Sequence, residues 1–140
     1  MMGSLRIFRF QERHVMWQRI FLIAAAGVAG TLSRYWLSGF TYQILGARFA
    51  YGTLAVNVIG CLLFGIVWAL AEDRMAISAA TRTVILVGFM GAFTTFSTFA
   101  FETMNYVRDS QFTLAFLNVA ANCALGFGAI VSGVWIARII

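Results

Sequence analysis

The sequence predicts an all-α membrane protein of four transmembrane helices, with the third helix broken at mid-membrane. Composition carries the class. Of 140 residues, 61% are hydrophobic and 11% charged, and proline is absent. An ordinary soluble domain is about 45–50% apolar and about 25% charged. A chain of this length cannot enclose so much apolar surface in water, so the bilayer is the simpler solvent. The apolar residues also fall into four runs, each as long as the roughly 20 residues a spanning helix needs. The segment Gly88–Phe101, GFMGAFTTFSTFAF, sets the break, because it puts glycines and a row of hydroxyls inside an apolar span. Lipid-facing backbone must satisfy its own hydrogen bonds, so a loosened helix belongs where protein buries it or a water-filled path adjoins it.

Residues 1–18 form a basic lead, with Arg6, Arg9 and Arg13 around Phe8 and Phe10. It is either an interfacial segment on anionic lipid or a disordered tail ahead of a later start, and the second is preferred. Residues 19–140 form one transmembrane domain. Its first run is Ile20–Phe40. This is not a cleaved signal peptide, since the apolar core is too long and Arg34 stands where a small-residue cleavage site would be. The connection Gln43–Ala50 holds Arg48. The second run is Gly52–Ala71, and the charged connection Glu72–Arg82 follows it. The third is Thr83–Tyr106, closed by a tight turn at Arg108–Gln111. The fourth, Phe112–Ile139, has length to spare for tilt.

Net charge is +5, carried wholly by arginine. The arginines flank the apolar runs, as membrane ends do, and form no clustered stripe of the kind nucleic acid needs. With the N-terminus cytoplasmic, seven arginines lie inside (6, 9, 13, 19, 74, 82, 138) and three outside (34, 48, 108). Counted from Met16, the balance is four against three, which barely selects an orientation. Cys61 and Cys123 read as small buried hydrophobes, with no metal-ligand spacing around them. His14 stands alone. One histidine and five acids assemble no nucleophile–base pair, metal cluster or phosphate loop, so an enzyme is not expected.

Polar residues inside the runs carry the chemistry. Thr53 and Asn57 are four apart and share a helix face. Asn118 and Asn122 repeat that spacing, and Gly126 continues the row. A membrane-buried asparagine needs partners; it serves either as interhelical glue or as an uncharged donor along a path. Amide donors suit an anion and amide carbonyls a cation, so these residues alone leave the sign open. Ala120, Ala124, Gly128 and Ser132 place a small residue at every fourth position, a seam for close helix approach. In the third run, Gly88 and Gly91 weaken the helix by about 1 kcal/mol each. Thr94, Thr95, Ser97 and Thr98 compete for its backbone groups, which predicts non-helical backbone near Gly91–Thr95. Freed carbonyls there offer a cation site, as in broken transporter helices. Phe93, Phe96 and Phe99 recur every third residue on one side, either as packing or as ring edges whose positive rim faces a small anion. Arg34 and Glu102 are charges near membrane depth; they pair, or each lines a vestibule. No other carboxylate lies within a span, against a proton-coupled pump.

Three motifs in order, Gly27-x-x-Gly30-x-x-x-Arg34-Tyr35, Gly52-Thr53-Leu54-x-Val56-Asn57-x-x-Gly60 and Gly88-Phe89-x-Gly91-x-Phe93-Thr94-Thr95-Phe96-Ser97-Thr98-Phe99-x-x-Glu102, resemble the Fluc (CrcB-type) fluoride channel family. The resemblance covers residues 19–140. It implies a fluoride-exporting channel: an antiparallel, dual-topology homodimer with two pores, in the plasma membrane of a prokaryote (the inner membrane in a Gram-negative cell), surrounded by lipid. It implies that Phe96 and Phe99 are the pore phenylalanines and Asn57 the pore asparagine, with Ser97 and Thr98 as neighbouring hydroxyls. Thr53, Asn118 and Asn122 are further pore-lining candidates. The backbone carbonyls of Gly91 and Thr94 match positions that hold a structural sodium ion at the dimer axis. Arg34 and Glu102 match motif charges.

Two departures stand out. The family's fourth helix carries hydroxyl or phenolic groups where this chain has Asn118, Asn122 and Gly126. The full chain's arginine bias also opposes insertion in both orientations, which favours a working start near Met16 or a lead neutral to insertion. A small multidrug exporter would need a carboxylate in the first helix, and Ile20–Tyr35 has none. A non-conducting accessory subunit would use its asparagines only as glue and pass no ions.

Overall fold

The computed structural model describes residues 2–72 and 77–140, with side chains from Met16 onward. The Arg6, Arg9, Arg13 and His14 side chains, and Asp73 and Arg74, lie outside the described residues. All the described elements are helical. Helix α1 (Met2–Leu45) is followed by α2 (Tyr51–Glu72). Helix α3 (79–93) begins as Ala79–Thr83, widens into a π-helical stretch at Val84–Met90 and closes with Gly91–Phe93. Then come α4 (Phe96–Arg108) and α5 (Phe112–Ile139). Four spans, Met16–Leu45, Tyr51–Glu72, Ala79–Arg108 and Phe112–Ile139, are long and apolar enough to cross a membrane.

The ends follow local chemistry. Helix α1 runs past the expected Phe40 to Leu45, because Gly46 at φ 77° supplies the left-handed residue that ends a helix. Ser78 caps α3, its hydroxyl accepting the Thr81 N–H at 3.2 Å. The tight turn before α5 is built on Ser110 at φ 59°, with the Gln111 N–H reaching the Tyr106 carbonyl at 2.7 Å.

Helices α2 and α5 make the most extensive contact. Gly65 and Gly133 set their closeness: a Cβ on Gly65 would meet the Ile130 carbonyl, and one on Gly133 the Leu62 carbonyl. Gly30 likewise lets α1 lie against the Phe89 carbonyl of α3. Within the chain, the stripe Ala120, Ala124, Gly128 and Ser132 is not a seam between helices. Ala124, Gly128 and Ser132 are exposed, and nothing lies within 4 Å of a Cβ on Gly128. The face of α5 turned inward carries Ala115, Asn118, Gly126, Gly133 and Ala137.

The buried core is small, with Val56, Ala69, Met90 and Phe93 among its members. Large apolar side chains such as Phe21, Trp36, Phe116 and Trp135 stand outside it. That distribution suits lipid or a second chain as solvent.

Candidate functional site

Between α3 and α4 the backbone leaves the helix at Thr94 (φ −79°, ψ 158°) and Thr95 (φ −148°, ψ 111°). Gly91–Phe93 keep helical geometry. The Thr95 N–H, which a continuing helix would aim at the Gly91 carbonyl, donates to Asn57 Oδ1 at 2.9 Å. Asn57 Nδ2 donates back to the Thr95 carbonyl at 3.3 Å. One α2 amide therefore satisfies both backbone groups of the extended residue, as a strand neighbour would. The Thr98 N–H, due to the Thr94 carbonyl, donates instead to Thr95 Oγ1 at 3.2 Å, so the Thr95 hydroxyl caps α4. The Gly91 and Thr94 carbonyls are left without their helical donors.

Asn57 extends this bracing into α5. Its Nδ2 donates to Asn122 Oδ1 at 3.0 Å. Asn122 Nδ2 donates to the Asn118 carbonyl at 3.0 Å and to Asn118 Oδ1 at 3.1 Å. Asn118 Nδ2 donates to Thr103 Oγ1 at 2.9 Å, and that hydroxyl donates to the Phe99 carbonyl at 2.8 Å.

A cleft of about 390 Å³ opens beside this network, lined by Asn57, Asn122, Phe96 and Phe99, with Cys61 and Cys123. The Phe96 and Phe99 ring centroids lie 5.5 Å apart at 57°. Phe93 does not share their side. The extended pair Thr94–Thr95 breaks the three-residue register, and Phe93 is buried against the open face of Gly60 while Phe96 is 78% exposed. The cysteines are not both buried hydrophobes either: Cys61 is half-buried and Cys123 exposed, because the helix faces that carry Asn57 and Asn122 turn them to the cleft and the outer surface.

A second cavity, of about 480 Å³, lies between α1, α2 and α4 and is lined by Arg34, Tyr42, Thr53 and Thr98, among others. Glu102 adjoins it. Its Oε1 accepts from the Tyr42 hydroxyl at 3.0 Å and from the Thr53 hydroxyl at 2.8 Å. Its Oε2 is buried without a hydrogen-bond partner among the described residues. No ion pair joins Arg34 to Glu102 among the described residues.

The expected site residues thus divide. Asn57, Asn122, Phe96 and Phe99 share the first cleft, while Thr53, Thr98 and Arg34 line the second cavity. Asn118 has no exposed surface and lines neither. Ser97 is exposed, its Oγ 3.4 Å from Thr95 Oγ1. Sequence reasoning missed Tyr42 and Thr103. Thr103 carried a faint signal, since a threonine four residues after Phe99 can return a hydrogen bond to that carbonyl.

A family model described as CrcB-like protein, Camphor Resistance (CrcB), matches residues 21–134. The chain belongs to the CrcB family. The CrcB chain is 50% identical over 125 residues to a protein of Nitrosococcus oceani named fluoride-specific ion channel FluC, across 89% of this chain and 100% of the relative. It is 46% identical over 125 residues to a protein of the same name from Solidesulfovibrio magneticus, with the same coverage. A third, from Desulforapulum autotrophicum, is also 46% identical over 125 residues. These CrcB relatives are named as ion channels and not as enzymes.

Proposed function

We propose that this chain is a fluoride-selective channel through which fluoride leaves the cytoplasm by passive electrodiffusion. The working form is an antiparallel, dual-topology homodimer with two pores, set in the plasma membrane of a prokaryote (the inner membrane in a Gram-negative cell). One observation carries the reading: the cleft walled by the Phe96–Phe99 ring pair and by Asn57 and Asn122 at the extended Thr94–Thr95 link, in a chain 50% identical to a protein named as a fluoride-specific channel.

Fluoride is small and strongly hydrated. A path for it must replace water with uncharged donors, since conduction needs binding firm enough for entry and weak enough for release. Ring edges of Phe96 and Phe99 carry the positive rim of the aromatic quadrupole. The Ser97 and Thr98 hydroxyls stand in the same turn. The exposure of Phe96 and of the apolar faces of α1 and α5 leaves room for a second copy, with lipid over the rest.

The Gly91 and Thr94 carbonyls fit a small hard cation, because both are oxygen donors released from the helix. Two from each copy would hold a structural sodium ion, and the ion would supply positive charge near an anion path. Insertion in both orientations fits the near-even arginine balance counted from Met16.

Purified protein in fluoride-loaded liposomes should empty them, as read by a fluoride electrode. Phe96→Ile should stop that efflux while the protein still elutes as a dimer. Impermeable wild-type vesicles, or full-rate efflux through Phe96→Ile, would overturn the assignment.

A further inference from the structure

We propose that Thr103, which lies outside the cleft, is a positioning residue for the anion path. It acts through a one-way series of hydrogen bonds that fixes the amides of Asn118, Asn122 and Asn57. The proposal rests on the channel reading above and names a residue that sets the geometry of that same site.

The series starts at the Thr95 backbone N–H, which donates to Asn57 Oδ1 at 2.9 Å. It passes from Asn57 to Asn122 at 3.0 Å, from Asn122 to Asn118 at 3.1 Å and from Asn118 to Thr103 Oγ1 at 2.9 Å. It ends where Thr103 donates to the Phe99 carbonyl at 2.8 Å. A backbone N–H can only donate and a carbonyl can only accept. A side-chain amide taken alone can be turned over without visible change. In this series it cannot, because any reversal sets donor against donor or acceptor against acceptor. The two backbone ends therefore dictate the orientation of all three amides.

Thr103 is the member that ties the side chains to the acceptor end. Its hydroxyl is the one group in the series able both to accept from Asn118 and to donate to a carbonyl. Asn118 is fully buried, so its amide has no water to turn to if that oxygen is removed. The two ends of the series, Thr95 and Phe99, lie four residues apart and bracket the turn that carries Phe96. What orients the amides also holds the wall of the cleft. Both hydrogens of Asn57 Nδ2 are engaged, by the Thr95 carbonyl and by Asn122. Both hydrogens of Asn122 Nδ2 are engaged by Asn118. These amides brace the cleft, and their reach depends on a hydroxyl one turn beyond the rings.

Thr103→Val keeps the shape and removes the oxygen, whereas Thr103→Ser keeps the oxygen. Two measurements separate the roles: fluoride efflux from liposomes, and hydrogen–deuterium exchange across 94–99, where the Thr95 N–H sits. Thr103→Val should lower efflux about tenfold and speed exchange there about tenfold, the scale of one buried amide left unpaired. Thr103→Ser should stay within about twofold of wild type in both. If Thr103→Val does not fold, Thr103→Cys takes its place, because a thiol is a weak partner. Valine and serine variants that behave alike, or faster exchange with unchanged efflux, would overturn the proposal. A wild type that passes no fluoride but keeps the valine–serine contrast in exchange would remove the channel reading and leave the brace standing.

Discussion

Two polar clusters lie inside the apolar span, and they follow opposite rules. Around Asn57, Asn122 and Asn118 each hydrogen bond joins a donor to an acceptor within the chain, and the series closes on backbone at both ends. Around Glu102, Tyr42 and Thr53 both donate to one carboxylate oxygen, and the other is buried with no partner among the described residues. The difference lies in the groups themselves. An amide brings donors and an acceptor, so a row of amides can satisfy itself. An ionised carboxylate brings only acceptors and draws donors from elsewhere, here from α1 and α2. Neutral groups therefore build a wall that holds its own shape, while a buried charge remains costly unless fully partnered.

The largest expected effect comes from giving the first cluster the chemistry of the second. Asn57→Asp removes both N–H donors and turns a carboxylate oxygen toward the Thr95 carbonyl and Asn122 Oδ1. Acceptor then faces acceptor at two contacts. At about 1–3 kcal/mol for each buried group left unpaired, the geometry of the break is lost. Fluoride efflux should fall at least about a hundredfold, to the leak of empty vesicles. Efflux within about tenfold of wild type would show that the cleft does not depend on Asn57 as a donor.

Next comes the frame that brings Asn57 and Asn122 together. Their hydrogen bond spans the α2–α5 crossing, where a Cβ on Gly133 would meet the Leu62 carbonyl. Backbone cannot step aside as a flexible side chain can. Gly133→Ala should destabilise the protein by about 1–3 kcal/mol, read as an earlier thermal transition in detergent. Gly128→Ala, on the open face of the same helix, should leave the transition in place.

A smaller effect probes the second cluster. Tyr42→Phe removes one of the two donors to Glu102 Oε1 and leaves Thr53 in place. A hydrogen bond to a charged group contributes about 1.5–3 kcal/mol, and the partial exposure of this contact places the loss at the lower end. The same thermal measurement checks it. A loss larger than that of Gly133→Ala would reverse the ranking, making the charged cluster the firmer of the two.

The four spans were legible because a bilayer demands length and apolarity, which sequence shows directly. Asn57, Phe96 and Phe99 could be nominated from motif spacing, and the fold gathers them round one cleft. What stayed hidden depends on helix rotation. Ala124, Gly128 and Ser132 fit the small-residue pattern as well as the face that packs, yet close approach at Gly65 and Gly133 turns Asn118 and Gly126 inward and leaves the stripe outside. The Asn118 partner follows from that rotation and the Glu102 partners from the approach of α1 and α2 to α4, so neither the Thr103–Asn118 contact nor Tyr42 could be read from local spacing. The π-helical stretch Val84–Met90 carries no sequence signal that the helix-breaking glycines would not give equally well.

The smallest expected effect lies outside both clusters and shows why distance alone misleads. Arg82 Nη1 sits 2.8 Å from Glu72 Oε2, as short as any bond in the asparagine series, and its guanidinium lies 5.3 Å from the Trp68 ring centroid. The two charged side chains are 35% and 57% exposed, so solvent and salt screen them, and ordering two long side chains offsets much of the attraction. Glu72→Gln should therefore cost no more than about 0.5 kcal/mol, and that cost should vanish in about 1 M salt. The neutral bonds around Asn57 have no such salt dependence, because no net charge is there to screen. A Glu72→Gln loss that matched Tyr42→Phe and persisted in high salt would mean that this pair is shielded as the interior clusters are, and the line drawn between them would have to move.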